Sequence, residues 1–394
     1  MSKLLVSASP HIRSAESIST IMWTVVVALL PAGMLGVYVF GRNALLLIAI
    51  SVATAAAAEF AIQKLRGRKT TLGDGSAIVT GLLMAYIISP GAPWYVPMVG
   101  SLFAIAVAKF AFGGLGMNIW NPALAGRAFV LSGYIIAMTA TWIYPSHSQI
   151  IGGLKRGGRV LKAESVDATS TTGAPTIVDT TTAATSTIGA SSIVDTTSAA
   201  TPRAAIKDEI KAAQDPDWRG WRSIRQAGSR PRDWLKAIYA RNKTSYIDLF
   251  IGTRGGCIGE TSTILLLLGG LFLIFRRVIA WQIPIFYIGA AALLGWALPI
   301  RFPGGAAWFA GDPLFSVMSG GLMLGAFFMA TDMVTSPVTR KGMIIFAIGC
   351  GVITAAIRSY GGYPEGVNYA ILLMNTAVPL IDRYIRPRKY GAAA

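Results

Sequence analysis

The sequence predicts an all-α polytopic membrane protein: about ten transmembrane helices in two inverted five-helix repeats with broken half-helices. Three observations lead there. The 394 residues are 53% hydrophobic and only 13% charged, an apolar excess outside the range of soluble domains. Several apolar runs are long enough to cross a bilayer core of about 30 Å at about 1.5 Å rise per residue. Five such runs precede a long polar tract and five follow it, and an odd number per half gives the halves opposite orientation.

The elements follow in order. Residues 1–20 are a polar head, read as a cytoplasmic N-terminal segment; they place the first apolar run too far from the start for a cleavable signal peptide. Residues 21–141 form the first repeat, with spans at 21–40, 43–62, 76–90, 95–112 and 122–141. The basic KLRGRK (64–69) follows the second span. Residues 142–250 are an external loop. Residues 251–382 form the second repeat, with spans at 260–275, 279–298, 313–331, 342–358 and 366–382; Asp312 opens a half-helix. Residues 383–394 are a cytoplasmic tail.

Charge sets the orientation. KLRGRK at 64–69, Arg276 and Arg277, Arg340 and Lys341, and RYIRPRK at 383–389 all fall on one side, while the opposite short connections are poor in charge. Basic residues mark the cytoplasmic side of short loops, so both termini are cytoplasmic and 142–250 lies outside. That long loop is itself rich in Lys and Arg, but long loops translocate largely regardless of charge. The net charge of +17 therefore reflects orientation and lipid headgroups, and argues against nucleic acid as the partner.

Internal similarity supports the repeat. GDGSAIVTGLLM (73–84) resembles GDPLFSVMSGGLM (311–323), and GGLGMN (113–118) resembles GGYPEGVN (361–368). Glycine-rich breaks at 73–80, 113–122, 252–260 and 311–320 place helix ends and free backbone inside the membrane, where irregular chain survives only if buried in protein or lining a cavity. The two cysteines, Cys257 and Cys350, are far apart and form no CxxC, so this chain alone is not expected to ligate zinc or an iron–sulfur cluster. No metal-ligating or catalytic constellation stands out.

Ionisable residues within spans are costly and read first as functional. The candidates, in the spans or close to their ends, are Glu59, Asp74, Lys109, Arg127, Asp248, Glu260, Asp312, Asp332 and Glu365. For Glu59 the alternatives are an interfacial position and a function, and for Lys109 snorkelling and a function. For Glu260, in GETS, they are helix capping and contact with a cation or flavin. Asp312 and Asp332 read chiefly as caps.

The polar tract carries the most specific signal. IVDTT occurs at 177–181 and again at 193–197, a 16-residue step, and each copy continues x-A-A-T. By composition the tract is a flexible linker. Yet Asp-x-x-[Ser/Thr]-[Gly/Ala]-Ala-[Thr/Ser] resembles the acceptor motif for covalent flavin attachment, in which a transferase joins FMN to a threonine hydroxyl through a phosphoester. Further long motifs agree: RGGCIGETS (254–262), SGGLMLGAFFMATDMVTSP (319–337), GGYPEGVNYAILLMN (361–375), SPHIRS near the start and NPALAGRAF (121–129). Together they resemble the B and D membrane subunits of the Na⁺-translocating NADH:quinone reductase and Rnf families, and the short polar head resembles that of the Rnf D type.

The resemblance implies the rest. Thr201 would be the flavinylated residue, within a motif that includes Asp195 and Ser198, with Thr185 the runner-up. A second, non-covalent, riboflavin-like flavin would lie in the bundle near Asn121, Arg127 and Glu260. The function implied is electron transfer in an ion-translocating ferredoxin:NAD⁺ oxidoreductase complex of the bacterial inner membrane, coupled to H⁺ or Na⁺ transport, with no complete active site in this chain. Its partners would be other Rnf subunits, including a second flavinylated subunit and iron–sulfur subunits, together with a flavin transferase and membrane lipid. The alternatives are the B-type component of the Na⁺-translocating quinone reductase, and a secondary transporter without flavin.

Overall fold

A computed structural model describes residues 17–139, 246–252, 255–302, 305–361 and 365–386. The chain enters through α1 (Ile18–Phe40), capped by the Ser17 side chain on Thr20 N, and turns at Gly41 into α2 (Arg42–Leu65). A short 3₁₀ turn (Leu72–Asp74) leads to α3 (Ser76–Tyr86), then α4 (Tyr95–Phe103), which continues as a π-helix over Ala104–Phe110. Helices α5 (Pro122–Gly133) and α6 (Ile135–Thr139) close the first half. After α7 (Tyr246–Ile251) come α8 (Thr263–Phe275) and α9 (Gln282–Ala297). A two-stranded antiparallel hairpin, β1 (Ile300–Phe302) and β2 (Gly305–Ala307), pairs Ile300 with Ala307. Helices α10 (Pro313–Met318) and α11 (Leu322–Leu324) lead into a second π-helix, Gly325–Met329; α12 (Arg340–Tyr360) and α13 (Val367–Tyr384) complete the bundle.

The chain is thus an all-α polytopic membrane protein. Helices α1, α2 and α12 are each long and apolar enough to cross a bilayer, and several shorter apolar helices pack among them. Exposed Leu45, Leu46, Met34 and Leu293 are what a lipid-facing surface requires. The apolar segments fall where the sequence places spans, with differences at their ends. The helix expected over 76–90 stops at Tyr86 and that over 122–141 breaks at Tyr134. The helix expected from residue 260 starts only at Thr263, because Ser262 is the residue whose hydroxyl caps it. The span expected over 313–331 is three pieces, interrupted at Ser319–Gly321, where Gly320 takes the left-handed φ of +75°. Among the described residues, the paired strands β1 and β2 are an addition to an otherwise helical expectation.

Packing runs in parallel through the two halves. Helix α2 packs on α3 and α4 as α9 packs on α10 and α12, and α5 meets α4 as α13 meets α12. The halves join where α1 crosses α8: a Cβ at Gly269 would lie 2.5 Å from Ala28 O, so only glycine permits this approach. The 255–262 segment lies against the end of α3, with Ile258 N donating to Ile88 O (3.2 Å) and Gly259 N to Tyr86 O (2.9 Å). These bonds satisfy backbone that a half-helix leaves free inside the membrane. The side on which α1 begins is called proximal below, and the opposite side distal.

Candidate functional site

Two groups of buried polar residues lie inside the bundle, one toward each side. The proximal group surrounds a cavity of about 780 Å³, counted with its open mouth. Its walls come from α1 (Ile21, Met22, Val25), from Ser76, Val79 and Thr80 of α3, and from Asn118, Asn121 and the start of α5. Leu273 and Ile279 of the other half complete it with Thr331 and Asp332, and both π-helices border it, through Lys109 on one side and Phe327 and Phe328 on the other.

Asn121 is fixed there by its own sequence. As N-cap it accepts from Ala123 N (3.1 Å) and Leu124 N (3.4 Å), while its amide nitrogen donates to Met329 O across the halves at 3.2 Å. Asn118, three residues earlier, is buried; its nitrogen donates to Trp120 O, and its oxygen has no partner among the described residues. Asp332 accepts from Val334 N and the Thr335 hydroxyl, the turn-capping role its MATDMVTSP setting suggests.

Lys109, in the cavity wall, faces Glu59. Lys109 Nζ lies 2.6 Å from Glu59 Oε2 and 2.7 Å from Ser76 Oγ. Their side chains are only 2% and 1% exposed, so each charge is held by the other inside the protein and not by solvent. Glu59 Oε1 accepts from Gln63 Nε2 at 3.0 Å, and Gln63 binds Thr71 through both ends of its amide. Asp74 joins this network through Ser76: its Oδ1 accepts from Ser76 N (2.8 Å) and from the Ser76 hydroxyl (2.7 Å) that Lys109 also contacts.

The distal group forms at the Gly320–Gly321 break. A Cβ at Gly321 would lie 2.3 Å from Glu260 Oε1 and 3.4 Å from Glu365 Oε2, and one at Gly320 2.7 Å from Glu365 Oε1; the glycines admit the two carboxylates side by side. Gly321 N donates to Glu365 Oε2 at 3.3 Å. Arg127 Nη1 reaches Glu260 Oε1 at 3.6 Å, a loose pair. Apart from the weak thiol donor of Cys257 beside it, Glu260 accepts no hydrogen bond among the described residues. Arg127 Nε, Thr261 Oγ1, Glu365 Oε1 and the Asn368 amide are likewise buried without partners. Buried polar groups are nearly always paired, so this many unpaired atoms in one place call for a bound ligand, ion or water.

Arg358, which the sequence did not single out, holds the distal group together. Its guanidinium donates to Ser316 O (2.7 Å), Ser319 O (3.3 Å) and Glu365 O (3.0 Å), tying the end of α10 to the start of α13. On α12 it looked like an ordinary basic residue near a helix end. Glu260 does not cap α8, since Ser262 does. Asp312 does cap α10 through Phe315 N and also accepts from the Tyr246 hydroxyl. Of the expected flavin neighbours, then, Arg127 and Glu260 meet at the distal group, while Asn121 stands apart on the proximal cavity. Thr185, Asp195, Ser198 and Thr201 lie outside the described residues.

Fold and sites together define a polytopic α-helical membrane protein that keeps charge and unpaired polar groups inside its bundle, as membrane proteins that move charge or bind polar ligands within the bilayer do. Comparison with known proteins narrows the class. The chain belongs to the NQR2, RnfD, RnfE family, whose model matches residues 5–391. It is 42% identical to the D component of the proton-translocating ferredoxin:NAD(+) oxidoreductase complex of Clostridium ljungdahlii, covering 98% of this chain and 96% of that one. It is also 42% identical to the D component of the Na(+)-translocating ferredoxin:NAD(+) oxidoreductase complex of Acetobacterium woodii, covering 98% and 95%. Identity to the D component of the ion-translocating oxidoreductase complex of Stutzerimonas stutzeri is 38%, covering 96% and 94%.

Proposed function

We propose that this chain is the electron-carrying membrane component, of the RnfD type, of an ion-translocating ferredoxin:NAD⁺ oxidoreductase (Rnf) complex. It couples electron flow to H⁺ or Na⁺ transport as part of that complex, with no complete active site of its own. The observation that carries this reading is near-full-length identity of 42% to two relatives bearing that name. Its partners on this reading are the other Rnf subunits, including a second flavinylated subunit and iron–sulfur subunits, and a flavin transferase.

The redox group is FMN bound through a phosphoester to Thr201, in Asp195-x-x-Ser198-Ala-Ala-Thr201. The distal group suits the ring of such a flavin: the guanidinium of Arg127 and the amide of Asn368 can donate to its carbonyls, and Glu260 can accept from its ring N–H. The unpaired state of these atoms supports the fit. A second, non-covalent flavin of riboflavin type suits the proximal cavity, with Asn121 and the unpaired Asn118 oxygen at its wall. Flavins supply one- or two-electron transfer when bound; the chain's residues orient the ring and set its electrostatic surroundings.

The setting is the bacterial inner membrane. Short-loop basic residues make the proximal side cytoplasmic, with both termini there and the 142–250 loop outside. The parallel packing of residues 21–141 and 251–382 supports their reading as inverted repeats. The function is tested by making the chain together with its flavin transferase and viewing the denatured, washed gel band under ultraviolet light. Wild type and Thr185→Val should fluoresce, and Thr201→Val should not. A dark wild-type band, or a bright Thr201→Val band, contradicts the assignment.

A further inference from the structure

The Lys109–Glu59 pair is costly where it stands. Burying two ions costs several kcal/mol each, and a well-packed apolar pair would serve stability as well or better. Its geometry suggests another use. An ammonium has three donors; two are spent on Glu59 Oε2 and Ser76 Oγ, and Lys109 itself lines the proximal cavity. It stands in the π-helix Ala104–Phe110, and such turns concentrate at functional sites. On its far side Glu59 is joined through Gln63 to Thr71, and residues 64–71 are exposed on the proximal surface. A chain of polar contacts therefore runs from cavity to surface: Lys109, Glu59, Gln63, Thr71. Asn118, which lines the cavity, independently has a buried oxygen without a partner among the described residues, and such an atom calls for a ligand, ion or water.

We propose that Lys109 and Glu59 form a charge-exchange pair that links an electron entering the proximal cavity to the uptake of one cation, H⁺ or Na⁺, from the proximal side. The proposal rests on the reading above that this cavity holds a non-covalent flavin. When the oxidoreductase activity places one electron on the occupant, the added negative charge draws the Lys109 ammonium toward the cavity. Glu59 loses its counter-ion and binds one cation arriving past Thr71 and Gln63. One negative and one positive charge enter: Na⁺ would be held by the Glu59 carboxylate without a covalent change, whereas H⁺ would form an O–H bond on it that breaks when the proton leaves. When the electron leaves, the ammonium returns to Glu59 and the cation is displaced.

The test is a spectroelectrochemical titration of the acid-releasable flavin in the purified complex, at two pH values and two NaCl concentrations. Lys109→Met should weaken its electron affinity at least tenfold, a fall of about 59 mV for a one-electron step. Glu59→Gln, which frees the ammonium, should shift it the opposite way and also abolish the part of its cation dependence that wild type shows beyond free riboflavin. Lys109→Arg, which keeps the charge, should stay near wild type, and serves with Glu59→Gln if Lys109→Met does not assemble. A structural role alone would not give opposite shifts for the two partners. Releasable flavin present with an unmoved potential in both Lys109→Met and Glu59→Gln overturns the proposal. Absence of releasable flavin from the wild-type complex overturns instead the reading of the cavity, and the proposal with it.

Discussion

Arg358→Met should destabilise the protein more than most single substitutions. Arg358 is 4% exposed and its guanidinium donates to three backbone carbonyls, at 2.7, 3.0 and 3.3 Å. Hydrogen bonds from a charged donor contribute about 1.5–3 kcal/mol each, so three suggest a gross loss of roughly 4–9 kcal/mol. Burying an apolar side chain instead of a charged one recovers several kcal/mol. The net cost expected is about 3–4 kcal/mol, mainly from carbonyls left unpaired where water is scarce. Arg358→Lys keeps a charge but not the flat five-donor fork that spans Ser316, Ser319 and Glu365, and should cost about 1–2 kcal/mol. The assay is reversible unfolding of the detergent-solubilised chain in increasing dodecyl sulfate, followed by tryptophan fluorescence. Arg358→Met within about 0.5 kcal/mol of wild type, the usual range for surface changes, would refute the clamp.

Three further outcomes are expected. In the same unfolding assay, Lys109→Met should cost about 3–5 kcal/mol by stranding the Glu59 charge, and Lys109→Met with Glu59→Gln should recover most of it; simple additivity would contradict the pairing. Asn121→Ala removes an N-cap and the partner of Met329 O, so melting should reveal a loss of about 1–2 kcal/mol, and extraction should find less releasable flavin. Gly321→Ala would place a methyl 2.3 Å from Glu260 Oε1 and should cost about 1–3 kcal/mol by overpacking. In-gel fluorescence should nevertheless persist in that variant, because attachment depends on the Thr201 motif.

Local signals made the helices legible. Asp312 reads as a cap and caps α10; Asn121 also caps α5, a role its place in a longer motif did not single out. The breaks at 252–260 and 311–320 were visible as glycine and proline within apolar chain. Partnerships across long separations were not legible. Glu59 and Lys109 are 50 positions apart on different helices, and nothing near either names the other. Arg358 gave no signal because its targets are backbone carbonyls, which every residue has. The π-helices were hidden too, since an i→i+5 turn has no strong residue preference to read. Glu260 stood between a cap and a ligand contact because a carboxylate near a helix start resembles a cap; the nearer Ser262 performs the capping. Glu260 and Glu365 were each noted, but what unites them is the side-chain-free surface of Gly320 and Gly321.

The central claim is that this protein carries its electrons on a flavin held by one threonine. It is tested most directly by mass spectrometry of the tryptic fragment 163–203, which contains both Thr185 and Thr201, from chain made with its transferase. The fragment should be heavier by FMN less one water, with fragmentation placing the whole increment on Thr201. An unmodified fragment, or an increment on Thr185 alone, would contradict it.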